Sequence, residues 1–372
     1  MMAETTPDRA RLRALPTICV TLKLRPTCAQ EATFRRWLWH LTAVHNWTIK
    51  TIEREAQAGR YPSTFRLKSL VSGHSERMAV PARAICAAVD TAHGAWRRCF
   101  RKLARKPRLR GRRRPLNSIG FSHGIKTIRN GRVSIPGMGQ VRFHRQDIPV
   151  GDCGYARIVR RASGWHLCMF VKAQPQPIVR VANGEVGIDP GFSSLLTLST
   201  GEVIERASEL SNGSVRLAQA QRGRRKRLAA RLQERISNRR KNRNHHISSQ
   251  LVSENKFIAF STDNRAGLAR ARFGKSVAAA AHGQLLSQLR YKCLHGGAEL
   301  VEVASRNSTK TCSACGALSG PSGFAGLSVR RWECSACGAD HDRDGNASIN
   351  VLITGRGSRL KSGREATSGI AS

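Results

Sequence analysis

Acidic residues are scarce in this chain. Only 24 Asp and Glu stand against 64 Lys and Arg in 372 residues, a net charge of +40 with a pI near 11.5. That deficit excludes an ordinary neutral metabolic enzyme, because so many like charges repel one another unless a polyanion lies against them. Long apolar runs are missing as well. None approaches the roughly 20 residues needed to cross a bilayer, and the N-terminal MMAETTPDRARLRALP lacks the apolar centre of a secretory signal. The protein is therefore expected to be cytoplasmic and nucleoid-associated, with no membrane partner. No tyrosine or serine recombinase constellation is present, which argues against a strand-transferring transposase.

What is there is enough to fold. Hydrophobic residues make up 40% of the chain, with six Trp and eleven Phe, and the length suits two to four domains. Arg outnumbers Lys, and the planar guanidinium fork suits phosphate oxygens, so nucleic acid is the expected partner. The basic residues run over the whole length instead of one amphipathic helix, unlike a membrane-surface anchor. From Thr91 to Gln146 there is no acid at all, and eleven of residues 97–114 are Lys or Arg. Arg112, Arg113 and Arg114 in that run are candidate phosphate contacts. Arg224, Arg225, Arg239 and Arg240 are candidates in a second basic, helical stretch over 214–252. The competing reading of such runs is a solvated surface.

Periodicity organises the rest. ICVTLKLRP (18–26) alternates as a strand and stops at Pro26, and the following segment through Ala56 carries an apolar stripe at helical spacing. Trp37, Trp39 and Trp47 lie in that segment and are expected in a core more than on a base-stacking face. A second helix is expected over 82–106. Short strands punctuated by Gly and Pro fill 119–175, including a hairpin around Ala162–Gly164, and suggest a small β-barrel. EVGIDPG (185–191) reads as a buried strand ending at Asp189, KFIAFS (256–261) as a short strand, and SVAAAAHGQLLSQLRYKCLHGG (276–297) as a helix. The polar segment from Thr354 is expected to be disordered.

Seven of eleven cysteines are scattered, but Cys312, Cys315, Cys334 and Cys337 form two CxxC pairs separated by 18 residues within a duplicated CSACGA. Two such knuckles converge four thiolates on one structural Zn2+ ion. Asp189 and Asp344 are candidate catalytic acids, since two-metal phosphodiester hydrolysis needs carboxylates from different elements to hold a pair of Mg2+ ions. Spacing alone leaves other roles open: Asp189 can shape its turn, and Asp342 or Asp344 can cap the helix that follows.

In the order of these pieces, VGIDPGFSSLLTLSTGE, NRRKNRNHHISSQLV, and TCSACG with WECSACGADHDRDGNASINVL, the chain resembles the TnpB/OrfB family of insertion-sequence-encoded RNA-guided DNA endonucleases, relatives of type V CRISPR effectors. LKLRPTCAQEATFRRWLWHLTAVHNW and KPRLRGRRR resemble the family's opening strand, first helix and basic linker. The resemblance implies an α/β architecture: an RNase-H-like (RuvC) nuclease domain (181–311 and 339–353) with an inserted zinc ribbon (312–338). Before it come a β-barrel (1–30 and 119–180) carrying a helical nucleic-acid recognition insertion (31–118), and a tail (354–372) closes the chain. It implies guide RNA and target double-stranded DNA as partners, with sequence read by base pairing. No motif in the chain bears on its oligomeric state.

The family's first catalytic Asp maps onto Asp189 and the Asp of its D-x-N-A motif onto Asp344. The second motif departs from the pattern. Ser261 stands where the family has Glu, and Ser305 stands where some relatives carry a displaced one. Asp263 and Glu302 are the substitutes at hand. Loss of a metal-bridging carboxylate would weaken transition-state stabilisation, so a nuclease-impaired RNA-guided DNA-binding protein is the alternative to an active endonuclease. A plain zinc-ribbon nucleic-acid-binding protein is the third reading.

Overall fold

In a computed structural model of the chain, residues 17–368 are described except 129–130, 145, 147, 149–151, 174–177, 192–193, 207–208, 263–279, 305, 323–325 and 327. The chain divides into two compact units, Met1–Pro175 and Gln176–Ser372.

The first unit opens with β1 (Thr17–Arg25), α1 (Cys28–Gln57), α2 (Thr64–Ser72), α3 (Ser75–Met78) and α4 (Ala82–Phe100). It continues with β2 (Ser118–Phe121), β3 (Lys126–Ile128), β4 (Arg132–Ile135), β5 (Gly139–Phe143), β6 (Asp152–Arg161) and β7 (Gly164–Lys172). Thr27 starts α1 through a capping box: its side chain accepts from the Gln30 amide while the Gln30 side chain accepts from the Thr27 amide. The seven strands form one antiparallel sheet in the order β2-β6-β7-β1-β5-β4-β3. Strand β1 joins its halves, since Thr17–Lys23 pair with β7 and Leu24 and Arg25 with β5. With β2 and β3 left at opposite edges, the sheet is a half-barrel where a barrel was expected. The expected hairpin is present: Arg161 pairs with Gly164, whose φ of +118° permits the tight turn.

Helices α1, α2 and α4 share one apolar core with this sheet. Phe34 and Trp37 are fully enclosed, Phe34 packs 4.9 Å from the Trp165 ring, and the Trp37 indole donates to Ala79 O at 2.7 Å. Trp37 is thus a core residue, as helical spacing suggested. Trp39 and Trp47 are not, being 50% and 37% exposed.

The second unit contains β8 (Gly184–Pro190), β9 (Leu196–Leu198), β10 (Val203–Ile204), α5 (Glu209–Arg222), α6 (Lys226–Glu254) and β11 (Asn255–Thr262). These are followed by α7 (His282–Gly296), β12 (Glu299–Ala304), β13 (Arg331–Glu333), β14 (Asp340–Asp342) and α8 (Arg343–Ser368). The five-stranded sheet has the order β10-β9-β8-β11-β12; β11 runs parallel to β8 and β12, while β9 is antiparallel to both its neighbours. One face, with Val186, Ile188, Ile258 and Phe260, packs on apolar residues of α6 and α7. The other, with Phe257, Ala259 and Val303, meets Val351 of α8. Strands β13 and β14 form a separate two-stranded ribbon.

Two elements differ from the sequence reading. The basic stretch 214–252 is broken at Gly223–Arg225, where Arg224 turns through a φ of +51°, giving α5 and α6. Residues 354–368, expected as a disordered tail, continue α8. Arg356 pairs with Glu185 at 2.7 Å and Arg359 with Glu299 at 3.0 Å, so tertiary partners hold a segment whose composition looks unstructured.

Candidate functional site

The placement of Asp189 and Asp344 follows from how α8 crosses the sheet. A Cβ on Gly187 would lie 2.1 Å from Ser348 O and 2.7 Å from Leu352 N, so only glycine lets the helix backbone touch β8 there. The same holds at Gly355, where a Cβ would meet that of Ala259 at 2.6 Å. Helix α8 runs antiparallel to β8, because Ser348 lies over Gly187 while Arg356 reaches back to Glu185. From that crossing, Asp344 is four residues up the helix, about 6 Å at 1.5 Å per residue. Asp189 is two residues along the strand, about 6.6 Å at 3.3 Å per residue. Both steps lead to the C-terminal edge of the parallel strands, and Asp189 shares the face of Glu185 and Gly187 because strand side chains alternate. Both acids are half-buried.

The cap that spacing left open is now assigned. Asp342 Oδ1 accepts from the Gly345 amide at 2.8 Å, which makes Asp342 the capping residue and leaves Asp344 in the first turn, 3.4 Å from Arg330 Nη1.

Ser261 belongs to this edge. Its neighbours in register, Gly187 with Ala259 and Ile188 with Phe260, put Ser261 beside Asp189 on the face toward α8. It is 1% exposed, and its hydroxyl has no hydrogen-bond partner among the described residues. Glu302 does not belong there. It pairs with Phe260 in register, which puts it on the opposite face, and Arg290 of α7 grips both its oxygens at 2.6 and 2.8 Å. The reading of Glu302 as a metal ligand is corrected on this point: one-residue alternation turns its carboxylate away from Asp189 and Asp344. Asp263 and Ser305 lie outside the described residues.

The four CxxC thiols do converge. Their sulfur atoms all lie within 4.8 Å of one another, with Cys312 to Cys337 at 3.8 Å and Cys315 to Cys334 at 3.7 Å. A tetrahedron of about 2.3 Å metal–sulfur bonds has edges of about 3.8 Å, so the set fits one closed four-coordinate ion. The duplicated sequence folds as a duplicated knuckle. In each copy the first cysteine's amide donates to the alanine carbonyl five residues on (Ala317, Ala339), and its carbonyl accepts from the glycine four residues on (Gly316, Gly338). Those glycines have φ of +80° and +70°. None of the eleven cysteines is disulfide-bonded.

Several residues that tie this cluster to α8 escaped the sequence reading. Asn346 and Asn350, one helical turn apart and buried, each donate to Ser308 O and Thr311 O, and Asn346 Oδ1 accepts from the Ser313 amide at 2.8 Å. His341 Nε2 lies 3.0 Å from Cys312 Sγ, and its ring packs 4.7 Å from that of Trp332. The first cysteine knuckle is thereby fastened to the helix that bears Asp344. The signal available was the N-x-x-x-N spacing, which puts two amides on one helical face.

Of the basic candidates, Arg112, Arg113, Arg114, Arg224, Arg225 and Arg239 are exposed and Arg240 is half-buried. Arg112 sits 5.6 Å over the Trp39 ring. The linker is laid along α1: the Asn46 side chain both accepts from the Arg110 amide and donates to its carbonyl at 2.8 Å, and Thr42 Oγ1 accepts from the Leu116 amide at 3.0 Å. Among the described residues, no helix is long and apolar enough to cross a membrane.

Comparison with known proteins now decides the family. A protein of Streptomyces pristinaespiralis provisionally named an RNA-guided DNA endonuclease is 32% identical over 276 residues, 69% of this chain and 67% of that protein. The chain belongs to the TnpB/OrfB family of RNA-guided DNA endonucleases. InsQ of Escherichia coli K12, provisionally named likewise, is 22% identical over 92% of this chain and 94% of its own length. Residues 282–351 match the family model "Cas12f1-like, TNB domain". A solved Cas12f1-sgRNA-target DNA complex shares the fold with a TM-score of 0.54 at 13% identity, covering 87% of this chain and 83% of that one.

Proposed function

We propose that this protein is an RNA-guided DNA endonuclease that holds guide RNA and target double-stranded DNA, and that its second unit is an RNase-H-like nuclease domain interrupted by a zinc ribbon. The observation that carries the reading is the placement of Asp189 and Asp344 on one face at the C-terminal edge of the parallel strands, the edge where α/β sheets build their sites. Two half-buried carboxylates from a strand and a helix offer hard oxygen donors suited to Mg2+. Bound there, Mg2+ would lower the pKa of a water and neutralise charge on the scissile phosphate. The chain's own part is to hold the acids in register through the Gly187 crossing and the Asp342 cap, and to keep the phosphate backbone near through Arg112, Arg113, Arg114, Arg224, Arg225, Arg239 and Arg240. With Glu302 turned away, Asp263 is the acid left to complete the set, two residues beyond Ser261 in the sequence. The four thiolates would take Zn2+, whose tetrahedral sulfur chemistry they match.

A second reading has its own support. Ser261 occupies the buried position beside Asp189 where a third carboxylate belongs, and its hydroxyl is unsatisfied among the described residues. A chain with two acids would bind guide and target without cutting. One experiment separates the readings: cleavage of a supercoiled plasmid carrying the guide-matched target by the RNA-loaded protein, in Mg2+ and Mn2+. Cutting that is lost in both Asp189→Ala and Asp263→Ala supports the nuclease. No cutting by wild type, with cutting gained in Ser261→Glu, establishes the binding protein.

A further inference from the structure

The helical part of the first unit carries an aromatic pocket that the nuclease chemistry does not use. The C-terminal turn of α4 and the segment after α1 line an open cleft of about 440 Å³, bordered by Tyr61, Phe100, Gly59, Arg60, Arg97 and Arg101. Trp96 supports one of the lining rings from beneath. Buried, with its indole donating to Ile49 O at 3.2 Å, it stacks under Phe100 at 5.2 Å and an interplanar angle of 24°. Tyr61 meets Phe100 edge to face at 5.2 Å and donates its hydroxyl proton to His93 O at 3.4 Å.

After both contacts Phe100 is still 50% exposed and Tyr61 44%. An aromatic pair left half in water at the end of a helix offers a ring face on which a flat group can stack. The charge around it says what that is. Arg60 is paired with Glu55 at 3.0 Å, whereas no carboxylate pairs with Arg97 or Arg101 among the described residues. Arg97 lies in the last turn of α4 and Arg101, four residues on, caps it, and both line the pocket with Phe100. An apolar aromatic floor between two uncompensated guanidinium groups matches a base between its two phosphates. The Tyr61 hydroxyl, its proton already committed, has lone pairs for a ribose 2′-hydroxyl, the group that marks RNA.

We propose that this pocket seats one unpaired nucleotide of a single-stranded RNA segment, its base stacked on Phe100 and its flanking phosphates on Arg97 and Arg101. The proposal rests on the RNA-binding part of the function above and names a subsite within it. Stacking of this kind tolerates any base, since every base has a π-face, so the pocket holds the strand without reading it.

The test uses the full chain stripped of co-purified RNA and a fluorescent, unstructured oligoribonucleotide carrying 5-iodouridine. Photocrosslinks should map to Phe100 or Tyr61. Phe100→Ala should weaken binding about tenfold or more with its salt dependence unchanged, while Phe100→Trp retains affinity and shows that the α4 turn is intact. Arg97→Gln and Arg101→Gln should each lower the slope of log affinity against log salt by about 0.7, the share of one single-strand phosphate. Wild-type affinity in Phe100→Ala, or crosslinks only elsewhere, overturns the subsite while leaving RNA binding in place. Equal crosslinking and affinity for the matching DNA strand overturns the assignment to RNA. A wild-type chain with no affinity for RNA sinks the functional reading itself, a result distinct from either.

Discussion

Ser261 and Glu302 illustrate how a single step of strand register decides chemistry. Side chains alternate along β11 and β12, so an acid one position away from the productive face is as remote as one on another element. Glu302→Ala is therefore expected to leave guided plasmid cleavage at the wild-type rate, although the exposed ion pair with Arg290 is lost. A fall as deep as that of Asp189→Ala would overturn the placement. Lys292 supplies a residue-scale test of another kind. Its ammonium group is buried between α6 and α7 and donates to His245 O, Ser248 Oγ and Ser249 Oγ, and burial pulls its pKa down to about 8. The unfolded chain, near 10.4, binds more protons than the folded one between those values, so this group's contribution to stability rises with pH across that window. The shift corresponds to about 3 kcal/mol. In denaturation curves, Lys292→Met should exceed wild type in stability at pH 7 and lose that advantage by pH 10. A difference independent of pH would show that Lys292 is not held in this way.

Helix α8 is the element on which both sites depend. It carries Asp344 in its first turn, touches β8 through Gly187, and clamps the first cysteine knuckle through Asn346 and Asn350. Metal bound by the four thiolates should be released in Cys334→Ser, with a measured zinc content falling from one per chain. Because the knuckle is fastened to α8, cleavage should fall too although the cysteines are assigned no catalytic role. The clamp predicts an intermediate outcome for Asn346→Ala. Three hydrogen bonds disappear and the half-buried Ser313 amide loses its Asn346 acceptor, a cost of about 1–3 kcal/mol. Zinc should be retained, while kcat falls and metal concentration dependence shifts as Asp344 loses its fixed position. An Asn346→Ala protein that loses zinc outright would place the clamp among the determinants of the ribbon and not of the acid.

Across the whole molecule the dominant fact is a charge of +40, and its expected consequence is steep salt dependence of RNA binding. Replacing Arg112, Arg113 and Arg114 together by Ala should weaken RNA of any sequence alike, because arginines that grip phosphates position a strand without specifying its sequence. The salt slope should fall by about 0.7 for each phosphate that is no longer neutralised. Filter-binding titrations over a range of salt measure both. Sequence-dependent weakening, or an unchanged slope, would remove the linker from the interface. With so few acids available as partners, most of the chain's Lys and Arg cannot form internal ion pairs to stabilise the fold. Cores such as those around Phe34 and Trp37, and around Phe260 and Leu289, must do that work.

The sequence by itself determined whatever depends on local pattern. Duplicated CSACGA specifies two identical knuckles, because each needs only a cysteine, a left-handed glycine and a short turn. The stripe of α1 and the hairpin at Ala162–Gly164 were legible for the same reason. Family motifs located Asp189 and Asp344. Tertiary structure decided what depends on which face meets which. It turned Glu302 away from the acids and left the Ser261 hydroxyl buried beside Asp189. It also extended α8 past Thr354 by pairing Arg356 and Arg359 with acids far away in sequence. No periodicity in one segment encodes those outcomes, because each is set by the register and crossing of elements that meet only in the folded chain.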